Sequence, residues 1–222
     1  MIEAERSGTR KILLLLAWSL AFGYLEGSVV VYLRALFYPE GFRFPLVVLP
    51  HRLYAVEVLR EAATIVLLLA VSALAYRKPL RRFAAFAFCF GVWDLVYYMV
   101  LKLVLNWPPS LLAWDILFLI PVPWIGPMLA PSLVSLALIV AAAMVLLGEE
   151  EEPVRLRTRD WGVEIAGAVL ILISFFWELP SVLRGGSPQS FPWWLFSAGL
   201  LLGLVWFVRL WGRRGPEERN VS

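Results

Sequence analysis

Residues 53–76 read LYAVEVLREAATIVLLLAVSALAY. From Ala62 to Tyr76 this stretch carries no charge, and its whole length is enough to cross a bilayer, which takes about 20 apolar residues for about 30 Å of hydrocarbon. Its opening turns hold Glu57, Arg60 and Glu61 at positions i, i+3 and i+4, so one face of a helix presents all three. Charges at that depth are expensive unless they face a protein interior or a water-filled cavity. The stretch is therefore read as a membrane helix around whose polar end the rest of the chain is arranged.

The composition agrees. Of 222 residues, 61% are hydrophobic and only 17% charged, against about a quarter charged in a soluble domain. The mean hydropathy is +0.77. The expected fold class is all-α, a polytopic integral membrane protein forming a single domain over 1–222 with a polar tail at 212–222. Six spans are expected, at about 11–33, 53–76, 83–105, 128–147, 161–179 and 193–211. The apolar run after Arg10 and Lys11 continues to Leu33, which reads as an uncleaved first helix and not as a signal peptide.

Between these spans, the segment Tyr38–Pro50 is aromatic and punctuated by proline; it is too short to span and is expected to dip into the interface or cover something. Residues 111–120 are apolar over half a crossing, and Pro121, Pro123, Pro127 and Pro131 follow. They are read as an outer half-helix, re-entrant or interfacial.

Arginine and lysine set the orientation. With the N-terminus in the cytoplasm, the inner side holds Arg6, Arg10, Lys11, Arg77, Lys78, Arg81, Arg82, Arg155, Arg157, Arg159, Arg213, Arg214 and Arg219, and the outer side only Arg34, Arg43, Arg52 and Arg184. Six crossings place both termini inside, in the plasma (inner) membrane of a prokaryote. The net charge of +3 belongs to this pattern and implies no nucleic acid.

On that topology the buried charges gather toward the outer side. Glu26 lies in the outer half of the first helix, Glu57, Arg60 and Glu61 in the outer third of the second, Asp94 near mid-depth of the third with Lys102 outward of it, and Asp115 in the half-helix. Five acids (Glu26, Glu57, Glu61, Asp94, Asp115) then face two bases (Arg60, Lys102), a surplus of three acids. Buried carboxylates without a partner take up protons or hold a cation. The candidate ligand- or ion-binding residues are Glu26, Glu57, Arg60, Glu61, Asp94, Tyr97, Tyr98 and Asp115, with the tyrosines following Asp94 at i+3 and i+4. For a metal, Glu57, Glu61 and Asp94 are the candidates, although one histidine, His51, excludes multi-histidine chemistry from this chain alone. His51 reads as a solvated loop residue, Lys102 as snorkelling outward, Asp115 and Glu178 as interfacial, and Arg34 as an interface anchor. The lone Cys89 has no partner for an intrachain disulfide.

Three functions fit an outward-facing acidic vestibule. The first is a small transporter or solute-binding protein handling a cation, a proton or an apolar small molecule. The second is a subunit or assembly factor of a larger complex, forming a homo- or hetero-oligomer through the small-residue pair Gly23/Gly27. The third is a cofactor-free membrane enzyme using paired carboxylates on a lipid or isoprenoid-like substrate. The chain carries no Walker loop, GxGxxG, HExxH, CxxC or nucleophile elbow.

Overall fold

The computed structural model describes residues 2–148 and 157–213, with side chains from residue 8. Six helices are long and apolar enough to cross a membrane. They are α1 (Ile2–Phe37), α2 (His51–Ala75), α3 (Pro79–Leu105), α4 (Leu129–Leu147), α5 (Thr158–Phe176) and, after the short α6 (Leu179–Leu183), α7 (Trp193–Gly212). The bounds lie near those expected, but α1 starts earlier and ends later than residues 11–33. The acidic connection at 149–152, Arg155, and most of the polar tail fall outside the described residues.

Proline and asparagine mark several helix ends. Pro50 precedes α2 and Pro79 opens α3, a first-turn position whose missing N–H costs no hydrogen bond. Asn106 closes α3 in the left-handed conformation at φ 51°, and its place before Trp107-Pro108-Pro109 turns the chain out of the helix.

The centre of the molecule is α3, not α2. Buried positions encircle α3, whereas α2 buries only Glu61, Thr64, Leu68 and Ser72. Small side chains make this possible. A Cβ on Gly91 would stand 2.6 Å from the Ser135 carbonyl oxygen, so α3 and α4 meet backbone to backbone there. Gly23 and Gly27 sit against Val96 and Val100 of α3, so the face read as open to another subunit is filled from within the chain. Helices α1, α2 and α4 pack around α3; α5 and α7 form a second pair, joined to the first group through α4. That pair crosses closely at Gly167 and Gly199.

The expected half-helix at 111–120 is instead a β-hairpin. Strand β1 (Trp114–Phe118) pairs antiparallel with β2 (Trp124–Pro127), in the register Trp114↔Pro127, Asp115↔Gly126, Ile116↔Ile125 and Phe118↔Trp124. The prolines 121 and 123 fall in the connection between the strands, where a missing N–H breaks no ladder bond. In the strand, Trp114, Ile116 and Phe118 lie on one face and Asp115 and Leu117 on the other. The ladder continues into α4: the Met128 N–H donates to the Ala113 carbonyl at 3.0 Å and the Leu129 N–H to that of Leu111 at 2.8 Å. Strand β2 lies on α5, with Trp124 stacked near Phe175 at 6.1 Å between ring centres.

Candidate functional site

The hairpin sits at the end of the bundle where α1 and α3 finish and α2 and α4 begin, and most of the buried charges collect there. On α2, one turn places Glu57 and Arg60 side by side. The Arg60 guanidinium grips both oxygens of Glu57 and also reaches across to Glu26 of α1. One turn further along, the Thr64 hydroxyl donates to the same Glu26 oxygen at 2.8 Å. Glu26, Glu57 and Arg60 thus form one ion-paired group joining α1 to α2. Glu61 turns toward the hairpin, where its carboxylate accepts the Leu119 N–H at 2.7 Å.

A second ion pair, further along α1, joins Arg34 to Asp115. Both are buried within the protein, Arg34 6% and Asp115 1% exposed. Arg34 Nη2 lies 2.7 Å from Asp115 Oδ1, and that oxygen also accepts the Ile116 N–H at 2.9 Å. The faces of the guanidinium are covered by two rings, Trp107 at 3.7 Å and Phe42 at 4.4 Å from Cζ to ring centre, an arrangement that favours the cation. Arg34 Nη1 and Asp115 Oδ2 have no hydrogen-bond partner among the described residues. Burial pushes the Asp115 carboxyl up to about 6, against the opposing pull of Arg34. Desolvation therefore outweighs the attraction of the partner.

Asp94 joins neither ion pair among the described residues. Its Oδ2 accepts the Ser135 hydroxyl at 2.7 Å, across the close α3–α4 crossing that Gly91 permits. Tyr97 and Tyr98, expected to share the Asp94 site, lie within reach of its charge and also pack in the aromatic set beside Arg34. Their rings meet at 5.1 Å, and Tyr98 stacks on Trp107 at 6.4 Å. The proposed metal candidates do not converge, since Glu57 is held by Arg60, Glu61 by the hairpin and Asp94 by α4. No group of three histidine, cysteine or acidic side chains able to hold a metal ion occurs among the described residues.

The other polar residues are placed as follows. Lys102 is exposed and donates to the Pro108 carbonyl at 3.1 Å. His51 is an exposed first residue of α2 and Cys89 is wholly buried in the core. Glu178, expected at the interface, is 8% exposed and accepts the Ser190 N–H at 3.1 Å.

Beside the hairpin lies a pocket of about 830 Å³. Its floor and walls come from the end of α1, the irregular segment after it, the end of α3 and the start of the hairpin, with Ser187 and Pro188 at one side. The expected vestibule residues Glu26, Glu57, Glu61 and Asp94 do not line it; Arg34 does. Phe42, on the segment expected to cover something, covers Arg34.

Sequence reasoning missed Arg34, Thr64 and Ser135. Arg34 offered one signal, its position eight residues after Glu26 on the same helical face. Thr64 lay one turn from Arg60. Ser135 offered none, being a single hydroxyl in an apolar helix. No family model, no curated protein and no solved structure matches this chain.

Proposed function

We propose that the chain is a small transporter or solute-binding protein of a prokaryotic plasma membrane, with both termini cytoplasmic and the hairpin end outward. In this reading a proton is taken up and released at Glu61 and Asp94. One observation supports it above the rest. Of the five deep acids, Glu26, Glu57 and Asp115 are matched to Arg60 and Arg34, whereas Glu61 and Asp94 accept hydrogen bonds from neutral donors, a backbone N–H and a serine hydroxyl. A carboxylate buried with only a neutral donor changes its protonation more readily than one fixed to a guanidinium. Glu61 also touches the hairpin, so its charge state is coupled to the element that closes this end.

The subunit reading drew on Gly23/Gly27 and on the polar face of α2. Within the chain the glycines pack on α3, and the polar face of α2 is engaged by Glu26 of α1 and by the Leu119 N–H just after β1.

The test is infrared difference spectroscopy of the purified protein between mildly acid and mildly alkaline buffer. Protonated-carboxyl bands are expected in wild type, one lost in Glu61→Gln and another in Asp94→Asn. Spectra from both variants that still show every wild-type band would end the proton reading.

A further inference from the structure

The pocket beside the hairpin is built for a ligand of different chemistry from a proton, and its case does not depend on Glu61 or Asp94, which lie outside it. Its volume of about 830 Å³ falls within the range of small-molecule sites, roughly 300–1,000 Å³. The charged residues lining it are Arg34, Arg43 and Glu40, two positive against one negative, a net charge of +1. Glu40 is held by Arg43 at 3.3 Å on the exposed rim. Asp115, which balances Arg34, is not part of the lining, and its Oδ1 is already shared by Arg34 Nη2 and the Ile116 N–H.

At the floor, Arg34 is a buried cationic donor whose orientation is already set. Asp115 holds one edge of the guanidinium, and Trp107 and Phe42 hold its faces. Its Nη1 makes no hydrogen bond of good geometry among the described residues, with Tyr97 beside the guanidinium, in a side chain only 7% exposed. A buried N–H left unpaired carries a free-energy cost that an incoming acceptor removes, and a guanidinium prefers a charged oxygen. Trp107, Trp114 and Phe42 make the walls apolar and aromatic. Phe42 stands on the irregular segment between α1 and α2, with its ring over the guanidinium and also lining the pocket.

We propose that this pocket binds a phosphate ester with an apolar body: its oxyanion at Arg34 with Arg43 on the rim, its body against Trp107 and Trp114. Such an ester is either the headgroup of an anionic lipid or a soluble organic phosphate.

The probe is phenyl phosphate, titrated against the melting temperature of the purified full chain in detergent, with inorganic phosphate in parallel. A ligand that binds the folded state raises that temperature with concentration. Phenyl phosphate is expected to do so and inorganic phosphate to do so more weakly, since it cannot use the walls. Removing a stacking ring in Trp114→Ala is expected to weaken phenyl phosphate by about tenfold while leaving inorganic phosphate unchanged. Arg43→Gln is expected to weaken both. These two side chains are not fully buried, so both variants are expected to fold.

In nanodiscs, displacement of labelled phenyl phosphate by phosphatidylglycerol but not by phosphatidylcholine assigns the site to a lipid headgroup. Displacement by neither lipid assigns it to a soluble ester. Absence of any response to phenyl phosphate and phosphatidylglycerol, or responses in Trp114→Ala and Arg43→Gln equal to wild type, overturns the proposal. The infrared test of Glu61 and Asp94 is independent of all these outcomes.

Discussion

Arg34 and Asp115 meet 2.7 Å apart with both side chains withdrawn from solvent, and what each does when the other is removed differs sharply. Arginine cannot shed its proton, so Asp115→Ala strands a fixed charge and is expected to cost about 3–5 kcal/mol in unfolding free energy. Arg34→Met leaves a carboxyl that neutralises itself by binding a proton, so its cost is expected to be smaller and to shrink on acidification. Replacing both, as Arg34→Met with Asp115→Leu, is expected to recover most of the loss, because apolar pairs of similar volume are often as good as a buried ion pair. The same site sets a pH dependence. Asp115 is pushed up to about 6, whereas an ordinary aspartate titrates near about 4. Between those values the folded chain holds a proton that the unfolded chain has released. This carboxyl therefore stabilises the fold most below about pH 4, and the contribution is lost as pH rises toward about 6. Melting temperatures across that window are expected to fall in wild type relative to the double variant, and parallel curves would contradict it.

The hairpin is the element on which these contacts act. One end of β1 is fixed to α1 by Asp115, and the Leu119 N–H just beyond the other end is fixed to α2 by Glu61. Glu61→Ala leaves the Leu119 N–H without its acceptor and is expected to cost about 1–3 kcal/mol. Hydrogen exchange is the sharper measurement. Amides of β1 and β2 are expected to lose protection in Glu61→Ala while those of α5 and α7 keep theirs; uniform loss would mean that the latch is not local. Gly91→Val acts at the other junction. Its Cβ would meet the Ser135 carbonyl, which is backbone and has little room to move, so α4 is pushed from α3 at a cost of about 1–3 kcal/mol, and the Asp94–Ser135 bond is lost with it. These elements also mark what was legible in the chain. The six helices were, because an apolar run of bilayer length has few other structures. The hairpin was not, because a ten-residue run, apolar but for Asp115, before a set of prolines fits a half-helix or a strand equally. Glu26, Glu57 and Arg60 were legible as one charged region. The partner of Asp115 lay 81 residues away and that of Asp94 lay 41 away, and nothing local to either acid names it.

At the scale of the whole molecule, the two ends of the bundle differ in what their charges do. At the hairpin end the arginines turn inward: Arg34 to Asp115, Arg60 to Glu26 and Glu57. At the opposite end they cap backbone. Arg81 donates to the Gly148 carbonyl at 2.7 Å, closing the end of α4, and Arg82 donates to the Tyr76 carbonyl at 2.8 Å, closing the end of α2. Cations at helix C-termini are favourable in any orientation, so part of the arginine excess has a folding role whichever side of the membrane it faces. The orientation is therefore worth measuring directly. Cys89 is the single cysteine and is wholly buried, so the unaltered chain supplies a silent background for labelling. Ser187→Cys places a thiol on an exposed loop at the hairpin end, and Pro79→Cys places one at the opposite end without altering any arginine or lysine. In intact cells a membrane-impermeant maleimide is expected to label Ser187→Cys and to reach Pro79→Cys only after permeabilisation. The reverse pattern would put the phosphate-ester pocket and the Glu61 latch on the cytoplasmic side. Their ligands would then have to be sought among cytoplasmic solutes and the inner leaflet, and the arginine excess would have to be explained by helix capping.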